Sequence, residues 1–302
     1  PESFRVMHDW CGDGEYNHYL YGWILAELGE LPYEIKKTSP LPEETLSFRK
    51  FPQDGIAKLA LRKTLEIYGR MIPSRLNRVV FISSYLNSKD LIRLQRALGQ
   101  LPYPCAPLVA PKRVPVVPKL RSGLKLIGEN GRFENLLQKI IPNQIPTAYV
   151  EYYLEMRRKS LSSFPENPRV IYTANALLGS EGFTFWIATQ VERGAKLVSS
   201  QHGGHYGTAA WAANESHEIR VSDRYFSWGW GKSGQPKVVS YPSGQLAGLK
   251  PNISPNPKGR ILWVGISFTR FSRQLLSIPM SRQTLDYLKD QERFARAVLP
   301  EV

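Results

Sequence analysis

The sequence predicts an α/β protein built on a largely parallel sheet with crossover helices, because short apolar runs alternate with helical patterns along most of its 302 residues. Three runs carry that prediction: Arg169–Thr173, Lys196–Ser200 and Asp223–Trp228 are short, rich in β-branched or aromatic residues, and each ends in a polar loop. The segment Phe183–Val191, between the first two runs, has helical character.

Taken in order, Phe4–Met7 reads as a first strand, followed by a polar loop and a helix from about Glu15 to Leu28, closed by Gly29. Pro32–Ile35 is a candidate second strand. A helix from about Gly55 to Tyr68 has Ile56, Leu59, Leu61 and Leu65 as its apolar side. Val79–Ser83 is a clearer strand, and Ser88 is the expected cap of a helix over Lys89–Leu98. Between Gly99 and Pro146 the chain is rich in proline, with one helix expected over Phe133–Ile141 and another, Thr147–Lys159, behind Pro146. The Gly/Pro/Lys-rich stretch Gly229–Gly259 then separates the three strong strands from Ile261–Gly265, which restarts the strand–loop–helix pattern. The expected organisation is a domain over 1–240, then a linker and the beginning of a second domain over 241–302. A start at Pro1 and an end just after an amphipathic helix read as a piece of a longer chain.

Composition removes several classes. No apolar run approaches the roughly 20 residues a spanning helix needs, and the N-terminus has no basic region followed by an apolar core. Two cysteines, Cys11 and Cys105, are too few for a disulfide framework. A soluble, cytoplasmic protein is the expectation. The excess of 40 Lys+Arg over 26 Asp+Glu gives +14, a charge that attracts polyanions or anionic membrane surfaces. Lys112, Arg113, Lys119, Arg121 and Lys125 fall within one proline-rich stretch. That stretch is either an exposed basic loop, suited to peripheral contact with the inner face of an anionic membrane, or a solvated linker. No RNA-binding motif is present, so nucleic acid is not an expected partner.

Ligands of open α/β sheets bind at the carboxyl ends of the strands. The loop that best fits such a site is Gln201-His202-Gly203-Gly204-His205-Tyr206-Gly207. Adjacent glycines let the backbone turn sharply and approach a ligand, and His202 can act there as a general base or as a donor to an anion. His202 can also simply satisfy backbone groups in a tight turn. Glu181, behind the candidate cap Ser180, is either a carboxylate placed for the helix dipole or one facing the same cleft as His202, able to serve as base or nucleophile. Asp13, Glu15, Asn17 and His18 lie at the start of the first helix, where they cap it or meet a sugar hydroxyl. Ser267, Thr269, Arg270 and Arg273 follow the Ile261 run and suit phosphate oxygens, or form a solvated basic turn. A metal-dependent hydrolase using His202, His205 and His217 is one rival reading, although no helical His-Glu-x-x-His pattern accompanies them. A non-catalytic protein that binds anionic glycans is the other.

Several of these motifs carry a resemblance. Asp13–Tyr21, Ser84–Leu86, Pro146–Glu151, Gln201–Gly207, Glu215–Glu218 and Ser222–Trp230 resemble a family of bacterial transferases associated with surface carbohydrate synthesis. That family is similar to retaining transferases of Kdo (3-deoxy-manno-octulosonic acid) that use CMP-Kdo, and distantly to CDP-glycerol glycerophosphotransferases. The resemblance implies a GT-B-like architecture: a Rossmann-like N-terminal domain on the acceptor side, then the start of a second, nucleotide-binding Rossmann-like domain. It implies a nucleotide-activated donor as substrate, CMP-linked in the nearest case, no cofactor and no metal, and a glycan or lipid-linked acceptor. By the same resemblance His202 and Glu181 are the catalytic pair, with Gln201, Gly203, Gly204, His205 and Tyr206 around the substrate.

Overall fold

The computed structural model describes residues 2–11, 14–29, 56–103, 107, 109–124, 131–210, 212–231, 233–247, 254, 256, 258–259, 262–266 and 282–298. In chain order the elements are α1 (Phe4–Cys11), α2 (Gly14–Leu28), α3 (Ile56–Met71), β1 (Val79–Ile82), α4 (Ser88–Ala97), α5 (Pro118–Arg121), α6 (Arg132–Gln144) and α7 (Tyr153–Ser163). They continue with β2 (Val170–Thr173), α8 (Ala176–Gly179), α9 (Glu181–Glu192), β3 (Lys196–Ser200), α10 (Ala213–Val221), β4 (Arg224–Trp228), β5 (Val238–Tyr241), α11 (Gly244–Ala247) and α12 (Arg282–Ala297). The chain forms two compact units, one of residues 1–7 and 39–251, the other of residues 8–38 and 252–302. No helix of the described residues is long and apolar enough to cross a membrane.

The first unit is a mixed α/β structure around five parallel strands in the order β1-β2-β3-β4-β5. Parallel neighbours need crossovers, and right-handed crossovers between strands laid down in sequence put their helices on one face. That face is the core. Val80, Ile82, Ile171 and Leu197 from the strands pack with Phe183, Trp186 and Ile187 of α9 and with Phe164. The indole of Trp186 stacks on Phe164 at 4.9 Å, and its N–H donates to the Pro165 carbonyl. At the β1 edge the side-chain amide of Gln100 pairs with both backbone groups of Val79, taking the place of a further strand.

The three strong strands, the two helices Ile56–Met71 and Glu181–Glu192 and the Gly29 stop all form where expected, with Gly29 in the left-handed region at φ 65°. Other elements differ. Phe4–Met7 is helical, because Ser3 Oγ accepts from the Val6 N–H and the Met7 N–H reaches the Ser3 carbonyl, a local cap that outweighs the short apolar alternation. The cap of α4 is Asn87, whose side chain accepts from the Asp90 N–H, and Ser88 is the first helical residue. Thr147–Lys159 is not one helix: a 3-10 turn over Thr147–Tyr149 is separated from α7 by residues that send Glu151 inward. Val238–Tyr241, inside the stretch read as a separator, adds the fifth strand beside β4. Residues 262–266 have no regular structure, so the strand expected at Ile261–Gly265 is not formed among the described residues. Pro32–Ile35 lies outside them.

The basic stretch is tied down from within. Arg121 is 4% exposed; its Nε and Nη2 donate to the two carboxylate oxygens of Glu151, and Nη1 donates to the carbonyls of Pro142 and Ile145. Glu151 also accepts from the Val117 N–H. The Arg121 hydrogen bonds hold the Glu151 carboxyl down to about 2, against an ordinary 4.5, with burial opposing them. Because its folded value is depressed, the stabilisation is complete above about pH 4.5 and is lost as pH falls through about 2. Arg121→Met, which leaves a buried carboxylate unpaired, should therefore lower the unfolding free energy by roughly 3–5 kcal/mol at neutral pH. Urea unfolding checks this, and the difference from wild type should shrink steadily between pH 4.5 and 2.

Candidate active site

The carboxyl ends of β1, β2 and β3 each release the chain into a polar loop, and three of these loops meet. After β1, Ser83 and Tyr85 take left-handed φ values of 47° and 60°, unusual for residues with side chains, and so turn the chain back across the sheet edge. After β2, Asn175 donates through Nδ2 to the Tyr85 hydroxyl at 2.6 Å. After β3 comes Gln201–Gly207, and the Tyr85 ring stands edge-on to the His202 ring with centroids 6.3 Å apart.

Gln201 is buried, and its work is structural. Its backbone N–H donates to the Phe226 carbonyl of β4 at 2.8 Å. Its side-chain oxygen accepts from the Trp228 N–H and the Trp230 indole, each at 2.8 Å, while its amide nitrogen donates to the Gly203 carbonyl at 2.7 Å. The ends of β3 and β4 are thereby fixed together, and the turn at Gly203 is set. A side chain at Gly203 would crowd His205 and Tyr206, whereas Gly204 has nothing near its missing Cβ. Gly207, at φ 73°, lies directly under the Trp230 ring, 2.6 Å from where a Cβ would sit, and its N–H donates to Glu215.

His202 is joined to two residues of the following segment. Its Nε2 lies 2.6 Å from the Tyr206 hydroxyl and 3.1 Å from Oε1 of Glu218, and the Tyr206 hydroxyl donates to that same Oε1 at 3.1 Å. A carboxylate only accepts, so the arrangement is satisfied when Nε2 carries the proton; a bare Nε2 would face Oε1 lone pair to lone pair. Nδ1 is then the basic nitrogen, and no described residue hydrogen-bonds it. Burial, and next the charge of Glu218, push the Tyr206 phenol far above its ordinary value. It therefore keeps its proton and works as a donor. Tyr225, fully buried behind Tyr206, is raised for the same two reasons.

Glu218 differs from the other buried glutamates. Glu151, Glu181 and Glu215 each accept from a backbone N–H: Val117, Phe4 and Gly207 respectively. Among the described residues Glu218 instead meets the side chains of His202 and Tyr206, and its Oε2 is buried without a hydrogen-bond partner there. Such a carboxylate is under-neutralised, so it gains strongly from any positive charge that develops on the imidazole beside it.

Of the residues singled out from sequence, Gln201, His202, Gly203 and Tyr206 form this site, with Gly204 on its open side. His205 is exposed, its ring 4.4 Å from that of Tyr206. Glu181 sits at the start of α9, where Ser180 does cap the helix by accepting from the Phe183 N–H, and its Oε1 accepts from the Phe4 N–H at 2.7 Å. One carboxylate thus serves the N-termini of two helices. Asn17, which donates to the Cys11 carbonyl, and the exposed His18 belong to α2 in the other compact unit. Glu15 lies in the first turn of α2; Asp13, Ser267, Thr269, Arg270 and Arg273 fall outside the described residues. His217 is exposed, and no group of three or more His, Cys, Asp or Glu among the described residues is placed to hold a metal. Glu218, which lies in the helix α10, was not among the residues singled out from sequence. The available signal was helical spacing: Glu215, Glu218 and Ile219 share one face of α10, Ser222 at its C-terminal cap continues that face, and all four are buried.

A family model described as the LIC12162 family transferase matches residues 2–302, so the chain belongs to that transferase family. No curated protein and no solved structure matches the chain.

The two glycines of this loop should respond oppositely to a methyl group. Gly207→Ala meets both a disfavoured φ and the Trp230 ring and should lose on the order of 3 kcal/mol or more. Gly204→Ala should fall within about 0.5 kcal/mol of wild type. Thermal melts of the two variants measure both.

Proposed function

We propose that this transferase is a GT-B-type glycosyltransferase that moves a sugar, Kdo or a related acidic sugar, from a CMP-linked or other nucleotide donor to a bacterial surface polysaccharide or its lipid-linked precursor. Membership of a transferase family and a parallel sheet with its polar loops at the carboxyl edge support the class. The sequence motifs around Gln201–Gly207 support the sugar chemistry by resemblance. The observation that carries the mechanism is the His202–Tyr206–Glu218 array.

In this mechanism Nδ1 of His202 takes the proton from the acceptor hydroxyl as that oxygen attacks the anomeric carbon of the donor. The new carbon–oxygen bond forms, the bond from that carbon to the nucleotide phosphate breaks, and the nucleotide leaves with the electron pair. The imidazolium so produced is stabilised through Nε2–H by Glu218, whose idle oxygen leaves it under-neutralised beforehand. Tyr206 keeps the ring and the carboxylate in register. Tyr85, braced by Asn175, offers an aromatic edge beside the imidazole against which a sugar can rest. Arg270 and Arg273, with Ser267 and Thr269, are assigned to the nucleotide phosphate on chemistry alone. Glu181 is left with the α1 N-terminus rather than with the transferred group.

A thermal-shift screen against CMP-, CDP-, UDP- and GDP-linked donors should single out the CMP-linked one; equal shifts, or none, would remove the donor assignment. In transfer assays with the responding donor, His202→Gln and Glu218→Gln should each lower turnover by about a hundredfold or more. Glu181→Gln should instead lower the melting temperature and spare turnover of the folded fraction. Near-normal turnover in His202→Gln would end the mechanism.

A further inference from the structure

The segment Val109–Leu124 alternates between anchors and exposed groups. Val109 and Val114 pack against Tyr152, Met156 and Phe185, the Val117 N–H donates to Glu151, and Arg121 is clamped inside. What these anchors hold outward is unusual in pairing aliphatic groups with cations. Val116, Val117, Leu120 and Leu124 are 55%, 42%, 52% and 37% exposed, and Lys112 and Lys119 stand exposed among them. From Pro107 to Gly128 the sequence contains five basic residues and no carboxylate. Four apolar side chains exposed within nine consecutive residues are a liability for a surface with no partner.

We propose that this ridge docks the protein on an anionic phospholipid bilayer, with Leu120 and Leu124 entering the boundary between headgroups and acyl chains and Lys112 and Lys119 lying against the headgroup phosphates. Membrane-surface segments combine an apolar face of this kind with flanking lysines. A surface for single-stranded nucleic acid would offer aromatic side chains for stacking, and Val109–Leu124 has none. The clamp matters because a pre-held ridge loses little conformational freedom on docking. This inference goes beyond the proposed reaction and does not require it: a lipid-linked acceptor would give the docking a purpose, but the surface stands on its own residues.

Co-sedimentation of the whole chain with phosphatidylglycerol/phosphatidylcholine vesicles tests it, with pure phosphatidylcholine vesicles and a single-stranded RNA as parallel arms. Binding should require phosphatidylglycerol and fall with salt. Lys112→Gln/Lys119→Gln should weaken it about 25-fold, at about fivefold per lysine near the surface. Leu120→Ser/Leu124→Ser should weaken it by about tenfold, the scale of partial leucine burial, while Lys289→Gln on α12 should leave it unchanged. A Leu120→Trp variant should shift its emission to the blue on binding. Equal binding to both vesicle types, no binding to either, RNA binding that ignores the leucine changes, or vesicle binding indifferent to both double variants would each overturn the proposal. Circular dichroism of the variants keeps loss of fold separate from loss of binding.

Discussion

One buried amide fixes the geometry on which the site depends. Gln201 sits where β3 ends, and its side chain answers the backbone of β4, the indole of Trp230 and the carbonyl of Gly203 together. Without it the ends of β3 and β4 would present unpaired polar groups to the interior, each an expensive omission. With it the chain has a single way to leave the sheet: over Gly203, down to buried Tyr206, and under Trp230 at Gly207. His202 is carried through this turn in a fixed orientation, which a flexible glycine-rich loop could not provide by itself.

The distribution of charge follows a related logic. The protein carries an excess of 14 positive charges, yet apart from Arg121 the charged side chains buried among the described residues are glutamates. Three of them are spent on the chain itself. Glu151 holds the proline-rich segment through Arg121, Glu181 receives the start of α1, and Glu215 receives Gly207. Glu218 is turned toward a histidine and a tyrosine and keeps one oxygen in reserve. Burial makes a carboxylate costly unless it is paired, so the one that is incompletely satisfied is where the protein tolerates that cost. It lies at the sheet edge, beside the left-handed backbone of Ser83 and Tyr85, which is where the candidate site is placed.

The basic stretch shows how the same residue type divides by depth. Lys112 and Lys119 remain at the surface, where their charge acts on what lies outside. Arg121, four residues or fewer from exposed Val117 and Leu120, faces inward and acts as a structural bolt. Its planar fork meets both oxygens of Glu151 and two carbonyls at once, which a lysine could not do. Charge counting alone would have assigned it to the same surface as its neighbours.

What the sequence determined is what local chemistry controls. Apolar runs of four or five residues gave β1 to β4, Ser180 fixed the start of α9, and Gly29 the stop of α2, because strand pattern and helix ends depend on neighbours within a few positions. The turn at Gln201–Gly207 was legible for the same reason: paired glycines directly after a strand signal a tight change of direction. The partners of that loop were not legible. Glu218 lies 16 residues from His202, Asn175 lies 90 from Tyr85, and Glu181 lies 177 from Phe4. Likewise the short run Val238–Tyr241 becomes a strand only because β4 offers it an edge. Which polar group pairs with which across such distances is decided by the sheet order and by the need to satisfy buried donors and acceptors. That requirement exists only after the chain has closed its core.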